Sequence, residues 1–188
     1  IRIDQQLEER IVARQIAAIP FLICAAPAYL ARAGRPASPH ELQAHACLVL
    51  RYPTDGRFLP WGFIQDGQRF DAPVNAELVS NDIDVLAQAA VHGGGITRLA
   101  SFVARPLIDA GALVSLFDGS ECGGVCAVPE PMRVFACVAD HQGLTPKVRA
   151  FIDYLREYLQ GQSGGMGAAV EAAGDQSSGA DGFGSRIR

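Results

Sequence analysis

Residues 80–101 read SNDIDVLAQAAVHGGGITRLAS and decide the fold, because they join a strand end, a helix, a glycine turn and a second strand. Asn81 or Asp82 can cap the helix, since a short side-chain oxygen accepts hydrogen bonds from the free N–H groups of its first turn. Gly93 can take the left-handed conformation that ends a helix. Apolar residues recur between these two ends at helical spacing: Ile83, Leu86, Ala89 and Ala90.

The junction between strand and helix is also the candidate binding element. In open α/β sheets such junctions line the ligand crevice, and free N–H groups at helix starts bind anions. We therefore expect Ser80, Asn81 and Asp82, with the edge Thr97–Ser101, to form one wall of a small-molecule cleft. Simple helix capping is the alternative for the first three residues, and packing at a strand end is the alternative for Thr97.

The composition bounds the class of protein. The chain has 188 residues, 49% of them hydrophobic and 19% charged, which is ordinary for a globular α/β protein. Its net charge of −4 argues against a nucleic-acid surface on these residues, since such surfaces are usually basic. We see no apolar run long enough to span a membrane and no signal peptide, and predict a cytoplasmic location. Because the first residue is Ile1, we expect the natural protein to begin upstream.

The chain has five cysteines, an odd number typical of reduced, buried thiols in a cytosolic protein. Cys122 and Cys126, in ECGGVC, form the one close pair. A metal site is one interpretation of this pair, but no second Cys or His pair accompanies it at zinc-finger spacing. The alternative is two separate thiols on a glycine loop, able to form a disulfide on oxidation. We predict no metal and no cofactor.

The rest of the chain alternates strands with helices. Asp66-Gly67 between two short apolar runs predicts a β-hairpin. Ser38 and Glu41 have capping-box spacing, which predicts another helix start. Thr145-Pro146 begins the clearest helix, which we expect to end near Gln160. From Gly161 onward the chain is rich in Gly, Ser and Ala, which predicts disorder. The pattern indicates an α/β fold with mixed sheets.

Four segments in this order resemble the effector-binding domain of LysR-type transcriptional regulators. They are CAAPAYLARAGRPASPHELQAHACLVL (24–50), WGF (61–63) with its Asp-Gly turn, SNDIDVLAQAAVHGGGITRLASFVARPLIDAGALVSLF (80–117) and LTPKVRAFIDYLREYL (144–159). The opening residues 1–24 are similar to the segment that precedes them in that family. The resemblance runs from Ile1 to about Gln160.

The resemblance implies a periplasmic-binding-protein-like (type 2) fold, with two Rossmann-like subdomains, mixed sheets and an effector cleft between them. On that mapping, residues 1–25 and 133–160 are the remnant of an incomplete subdomain I. Residues 26–132 form subdomain II, and residues 161–188 form the disordered tail. The two crossing segments are Phe21–Ala25 and Arg133–Ala139.

The implied function is effector sensing. A small, anionic molecule in the cleft would modulate DNA binding by an N-terminal winged helix-turn-helix, which is missing from these residues. Arg2, at a strand end, would be the fixed cation, with a plain surface charge as its alternative. Ser80, Asn81 and Thr97 would supply hydrogen bonds, with Asp82 and Leu99 in the same wall. The full-length protein would form a homo-oligomer, without membrane contact and with DNA bound only through the missing domain.

Two other classes of function remain. A solute-binding protein of a transport system shares the fold, but it would need a secretory signal and would normally avoid an odd number of free cysteines. An enzyme on the same scaffold would need a nucleophile beside a base. The sequence pattern does not place a nucleophile beside any of the four histidines, His40, His45, His92 and His141. We therefore predict no catalytic residues and no enzyme activity.

Overall fold

The computed structural model describes residues 2–3, 12–52, 56–118, 127–138 and 145–163. Its four α-helices are α1 (Pro27–Ala33), α2 (Ile83–Val91), α3 (Ser101–Asp109) and α4 (Pro146–Ser163), with a 3-10 helix at Pro39–Ala44. Its strands are β1 (Arg2–Ile3), β2 (Val12–Ile19), β3 (Phe21–Ala25), β4 (Ala46–Leu50), β5 (Gly62–Gln65), β6 (Gln68–Asp71), β7 (Asn75–Ser80), β8 (Ile96–Ala100), β9 (Val114–Leu116), β10 (Val128–Pro129) and β11 (Met132–Val138).

The described strands form three sheets. The largest has five strands in the order β7-β4-β8-β3-β9, and two smaller sheets have the orders β1-β11-β2 and β10-β5-β6. In the largest sheet, β4 runs parallel to β7 and β8, whereas β3 runs antiparallel to β8 and β9. The fold is therefore α/β with mixed sheets, as the sequence predicts.

The main core is built around the five-stranded sheet. Every residue of its central strand β8 is buried, because helices and the hairpin supply apolar side chains to the same cluster. The apolar positions of α2 pack as the helical spacing predicts, with Leu86 and Ala90 fully buried and Ile83 and Ala89 partly buried. Trp61 and Phe63 of the hairpin complete the core, so they are packing residues.

The glycine run after α2 is structural. Gly93 has a φ of +78°, the left-handed conformation that ends the helix. Gly95 lies so close to the backbone that a side chain there would overlap the carbonyl oxygen of Ala46. These glycines let the chain turn tightly from α2 into β8.

The hairpin is confirmed. β5 pairs with β6, and the two turn residues Asp66 and Gly67 have φ values of +51° and +74°. Two successive positive φ values are those of the type I′ turn that Asp-Gly favours, since its twist matches that of the flanking strands.

A smaller unit is formed by β1, β11, β2 and α4. Ile152 of α4 packs with Ile16, Val134 and Ala136 of the strands. Thr145 caps α4, its hydroxyl accepting a hydrogen bond from the N–H of Val148 at 3.4 Å. The helix continues to Ser163, three residues beyond its predicted end. A single glycine costs a helix only about 1 kcal/mol, so it does not end one by itself. Residues 164–188 of the predicted disordered tail lie outside the described residues.

Two described connections link the β1-β11-β2 sheet to the rest of the fold, one from β2 to β3 and one from β10 to β11. β2 leads through Pro20 into β3, which pairs with β8 and β9 in the five-stranded sheet. Met132 begins β11, which returns to β2. The sheets therefore divide the chain at Pro20, whereas the predicted boundary of subdomain I follows Ala25. β3 belongs by its hydrogen bonds to the larger sheet, a pairing that local sequence does not specify.

The predicted capping box forms only in part. The segment after Ser38 is a 3-10 helix, and the Ser38 side chain makes no capping hydrogen bond. The Glu41 carboxylate accepts from the N–H of Ala37 at 2.9 Å, one residue before the predicted donor. A 3-10 turn has three residues per turn instead of 3.6, so the side chain three residues on faces a different N–H.

Candidate functional site

The carboxyl ends of three parallel strands meet at one edge of the five-stranded sheet. Leu50 at the end of β4 pairs with Ser80 at the end of β7. The N–H of Arg51 donates to the carbonyl oxygen of Ser80 at 2.8 Å, which fixes this corner. The predicted residues Ser80, Asn81 and Asp82 therefore lie where the sheet ends and α2 begins, at the kind of edge that binds ligands in α/β folds.

Much of the hydrogen bonding of these three residues is internal. The Asp82 carboxylate accepts from the N–H groups of Asp84 and Val85 at 2.9 and 3.4 Å, so it is the cap of α2. The Ser80 hydroxyl oxygen accepts from the N–H of Asp82 at 3.0 Å. Asn81 is exposed. The two carboxylates of Asp82 and Asp84 make the first turn of α2 negative, which disfavours an anion bound at that turn.

Thr97 and Leu99 lie inside the core. Both side chains are fully buried, and the Thr97 hydroxyl lies 3.4 Å from the carbonyl oxygen of Leu48, to which it donates a hydrogen bond. Their strand β8 is central and covered on both faces, so neither side chain reaches the exposed edge. The structure places Ser80, Asn81 and Asp82 together and keeps Thr97 and Leu99 apart from them.

Arg2 is described only by its strand position. It begins β1 and lies opposite Phe135 of β11, in the smaller sheet. Its side chain lies outside the described part of the chain, so its role as the fixed cation stays a prediction.

A cavity of about 180 Å³ opens near the same sheet edge. It is a mixed site of arginine, aromatic and aliphatic side chains, lined by Phe21, Tyr52, Leu59, Pro60, Arg69, Arg98, Glu130, Pro131, Met132 and Arg133. Tyr52 directly follows Arg51, whose N–H binds Ser80, so the cavity and the Ser80 corner are neighbours. This cavity was not predicted from the sequence, although Arg98 in the apolar strand sequence ITRLA was a signal, since a buried cation usually has a partner.

Arg98 is the dominant group of the cavity. The residue is 5% exposed, and its guanidinium lies 4.0 Å from the ring centre of Phe21. It donates hydrogen bonds to two backbone carbonyl oxygens, those of Pro60 and Glu130. Burial lowers the pKa of Arg98 to about 10, so the group keeps its charge at neutral pH. The cation is thus held in place by neutral acceptors.

Neither buried thiol has the environment of a nucleophile. Burial raises the pKa of Cys24 to about 12 and that of Cys47 to about 11, which keeps both protonated. The Cys47 thiol lies near His45 but points to the backbone carbonyl oxygens of Leu42 and His45. The His45 ring instead contacts the Tyr29 hydroxyl, 3.2 Å from Nδ1.

Within the described ranges, no group of three or more His, Cys, Asp or Glu side chains is placed to hold a metal ion. Cys122, Cys126 and His141 lie outside the described residues. Among the described helices, none combines the length and apolar character that crossing a membrane requires.

Comparisons with known proteins agree on one family. A family model described as LysR substrate binding domain matches residues 1–160. The chain is 30% identical over 116 residues to the putative LysR family substrate binding domain-containing protein YagP of Escherichia coli K12, covering 62% of this chain and 80% of YagP. It is 29% identical over 185 residues to an HTH-type transcriptional regulator of Xanthomonas campestris pv. campestris, covering 93% of this chain and 52% of that regulator.

A solved structure shows the same fold. A variant of the regulatory domain of AphB from Vibrio vulnificus is 25% identical and superposes with a TM-score of 0.61, covering 84% of this chain and 75% of that one. The chain thus spans most of YagP and about half of the longer regulator from Xanthomonas.

Proposed function

This chain belongs to the LysR substrate-binding domain family, and from that premise we propose that it senses a small effector at the carboxyl edge of its five-stranded sheet. Effector sensing for transcription regulation is the role of the family. We further propose that the effector is anionic, that neutral groups of it contact the Ser80 corner while its charged group lies away from the negative first turn of α2, and that it controls DNA binding by a winged helix-turn-helix elsewhere in the full-length protein. Because it would regulate transcription, we expect the full-length protein to lie in the cytoplasm. We also expect it to form a homo-oligomer and to have no enzyme activity.

The observation that carries the proposal is the polar corner at the ends of β4 and β7. Ser80, Asn81 and Asp82 stand at the carboxyl edge of parallel strands, on the family's own scaffold. Asn81 is exposed, and the Ser80 hydroxyl, which accepts from the N–H of Asp82, still has a proton that it can donate to a ligand. Thr97 and Leu99 lie buried in β8 and are not part of the proposed contact.

The proposed mechanism is a shift in population between two arrangements of the sheets. Two connections lead out of the β1-β11-β2 sheet, from β2 into β3 of the five-stranded sheet and from β11 back to β10 of the hairpin sheet. An effector that binds one relative placement better than the other raises the population of that placement. The placement would set how the DNA-binding domains are presented.

The experiment begins with a library of small organic acids and neutral metabolite-sized molecules, screened against the full chain by thermal shift. The strongest binder is then titrated by calorimetry into the unchanged chain and into Ser80→Ala and Asn81→Ala. We expect Kd to rise about fivefold or more in each variant, the effect of losing one hydrogen bond to the ligand.

Ser38→Ala is the matched control. Ser38 precedes the 3-10 helix at the opposite, amino end of β4, and its side chain makes no capping hydrogen bond. Its variant is expected to bind with unchanged Kd. Equal Kd values in all three variants would place the effector elsewhere, and the absence of any binder in the library would count against effector sensing by this chain.

The solute-binding protein is not favoured as an alternative. The two relatives compared above are a protein named for the LysR substrate-binding domain and an HTH-type transcriptional regulator, and neither name describes a transport protein. An enzyme is also disfavoured, because the thiols of Cys24 and Cys47 are held protonated by burial.

A further inference from the structure

The helix α4 carries apolar side chains on two opposite faces. Its inner face packs on the β1-β11-β2 sheet through the buried side chain of Ile152. Its outer face carries Phe151, Tyr154 and Tyr158, each more than half exposed, which we call the aromatic face. A helix on the surface of a globular protein is usually polar on the side that faces water. The aromatic face is therefore a candidate interaction surface.

We propose that the aromatic face pairs two copies of this chain, with the two α4 helices antiparallel about a two-fold axis that passes between Phe151 and Tyr154. The occupant of the face is thus a second copy of the chain. The inference rests on the proposed function only in that it gives a surface to the homo-oligomer expected there. It involves neither the effector nor the Ser80 corner.

The spacing along α4 is that of paired helices. Lys147 precedes the aromatic face by one turn, and the steps from Lys147 to Phe151, Tyr154 and Tyr158 are four, three and four residues. Steps of three and four alternate in paired helices, because they keep one stripe of side chains facing the partner helix. All four side chains are exposed. They form one stripe about 16 Å long, at a rise of about 1.5 Å per residue.

Symmetry determines which residues meet across such a pair. A two-fold contact uses the same patch on both copies, so each residue faces the one that mirrors it across the axis. In the antiparallel pair, Phe151 faces the partner's Tyr154, and Lys147 faces the partner's Tyr158. Both contacts are favourable, since aromatic rings pack well on one another and a lysine ammonium is attracted to the face of a tyrosine ring.

The charges of α4 favour the antiparallel pair over a parallel one. Lys147 lies at the amino end of the stripe and Glu157 near its carboxyl end, and both side chains are exposed. Neither forms an ion pair with another residue in the described part of the chain. The antiparallel pair brings Lys147 close to the partner's Glu157 at both ends of the contact. A parallel pair would instead set each charge against its own copy, which Coulomb repulsion disfavours.

The aromatic face is held in one orientation by contacts on the other side of α4. The Asp153 carboxylate lies 3.8 Å from the guanidinium of Arg14 in β2, and Arg156 donates to a backbone carbonyl oxygen of β2 at 3.1 Å. The rings of Tyr154 and Tyr158 stack on each other, with 6.3 Å between their centres. Less conformational entropy is lost on pairing when the contacting groups are already in place.

The test is sedimentation equilibrium of the full chain. A contact of about three helical turns is small beside a standard interface of about 1,600 Å², so we expect a weak dimer with a Kd of about 50 µM. The average mass should therefore rise from that of a monomer toward that of a dimer between about 5 and about 500 µM. Dithiothreitol keeps the cysteines reduced, so that no disulfide links the copies. A mass that stays at the monomer value throughout overturns the proposal.

Two matched variants test the surface. Phe151→Glu places a charge at the centre of the aromatic face and is expected to raise the dimer Kd about tenfold or more. Phe102→Glu makes the same change on α3, where Phe102 is 63% exposed against 58% for Phe151, and should leave Kd unchanged. Circular dichroism checks that both variants keep their helices. A dimer that survives Phe151→Glu uses another surface and overturns the assignment.

A charge swap tests the antiparallel arrangement. Lys147→Glu and Glu157→Lys are each expected to raise Kd about threefold at low salt, and the double variant should restore the original Kd. Both side chains are exposed, so these variants decide the question even if Phe151→Glu fails to fold. Single variants without effect, or a double variant no tighter than they are, would contradict the antiparallel pair.

The dimer and the effector site are tested separately. The sedimentation experiments contain no effector, and Ser80 and Asn81 lie outside the aromatic face. A chain that stays monomeric would leave the calorimetric result at Ser80 and Asn81 standing. Equal effector affinities in the Ser80 and Asn81 variants would leave the dimer standing.

Discussion

The five-stranded sheet and the β1-β11-β2 sheet differ in how completely their described residues are buried. In the five-stranded sheet, every residue of β8 is buried beneath helices and a hairpin. Among the described residues of the β1-β11-β2 sheet and α4, the buried cluster consists of Ile16, Val134, Ala136 and Ile152. Among the described residues, the five-stranded sheet therefore carries the larger part of the buried core, and we expect it to contribute most of the stability.

Thiol labelling should show the contrast most strongly. Cys24 and Cys47 in the larger sheet have pKa values raised to about 12 and about 11, so at about pH 8 their thiolate fraction falls about 100- to 1,000-fold below that of free cysteine. Cys137 in β11 is partly exposed. Iodoacetamide followed by peptide mass spectrometry should modify Cys137 first. The control is the same reaction in denaturant, where all rates should converge; equal native rates for Cys24 and Cys137 would contradict the contrast.

Core truncation should separate the two sheets by a few kcal/mol. Leu99→Ala in β8 is expected to lower the free energy of unfolding by about 2–5 kcal/mol, because the surrounding core leaves a cavity. Ile152→Ala in α4 should cost only about 2 kcal/mol, since its small cluster relaxes more easily. Urea unfolding gives both values.

Leu78→Ala is the matched control for these truncations. Leu78 is 36% exposed on the edge strand β7, and its truncation should change the free energy of unfolding by less than about 0.5 kcal/mol. An Ile152→Ala cost equal to or above that of Leu99→Ala would show that the smaller sheet is as firmly packed as the larger one.

The smallest expected effect lies at the corner where α2 begins. Asp82→Ala removes the cap that accepts from Asp84 and Val85, so it should cost about 1 kcal/mol of unfolding free energy. Asn81→Ala, one residue earlier and exposed, should cost almost nothing. Thermal unfolding measures both. A stability loss confined to Asn81→Ala would reverse the assignment of the cap.

Local rules predicted the elements whose partners are near in sequence. The α2 cap, predicted at Asn81 or Asp82 and found at Asp82, the Asp-Gly hairpin turn and the Thr145 cap of α4 each involve residues within three positions of one another. The capping box at Ser38 failed because a 3-10 turn replaced the α-helix that the box requires. That choice depends on how the segment packs before β4.

The candidate site was predicted only at its exposed corner. Ser80, Asn81 and Asp82 could be placed because a strand end next to a helix start is visible in the sequence. The burial of Thr97 and Leu99 could not be, since it follows from the central position of β8 between β4 and β3. Arg98 was passed over for the same reason, because its partners Pro60 and Glu130 are 38 and 32 residues away.

The sequence by itself determined the family, the α/β class and the local ends of the helices, because periodicity, caps and turn residues act over a few positions. Tertiary structure alone decided which strands share a sheet, where the chain crosses between sheets and which charge is buried. Those outcomes depend on contacts between segments that are distant in the chain, where burial and hydrogen bonding are settled by the whole fold. The Ser80–Ser101 stretch shows both kinds of outcome. Its helix cap depends on neighbouring residues, whereas the strands that pair with its β8 depend on the packing of the whole fold.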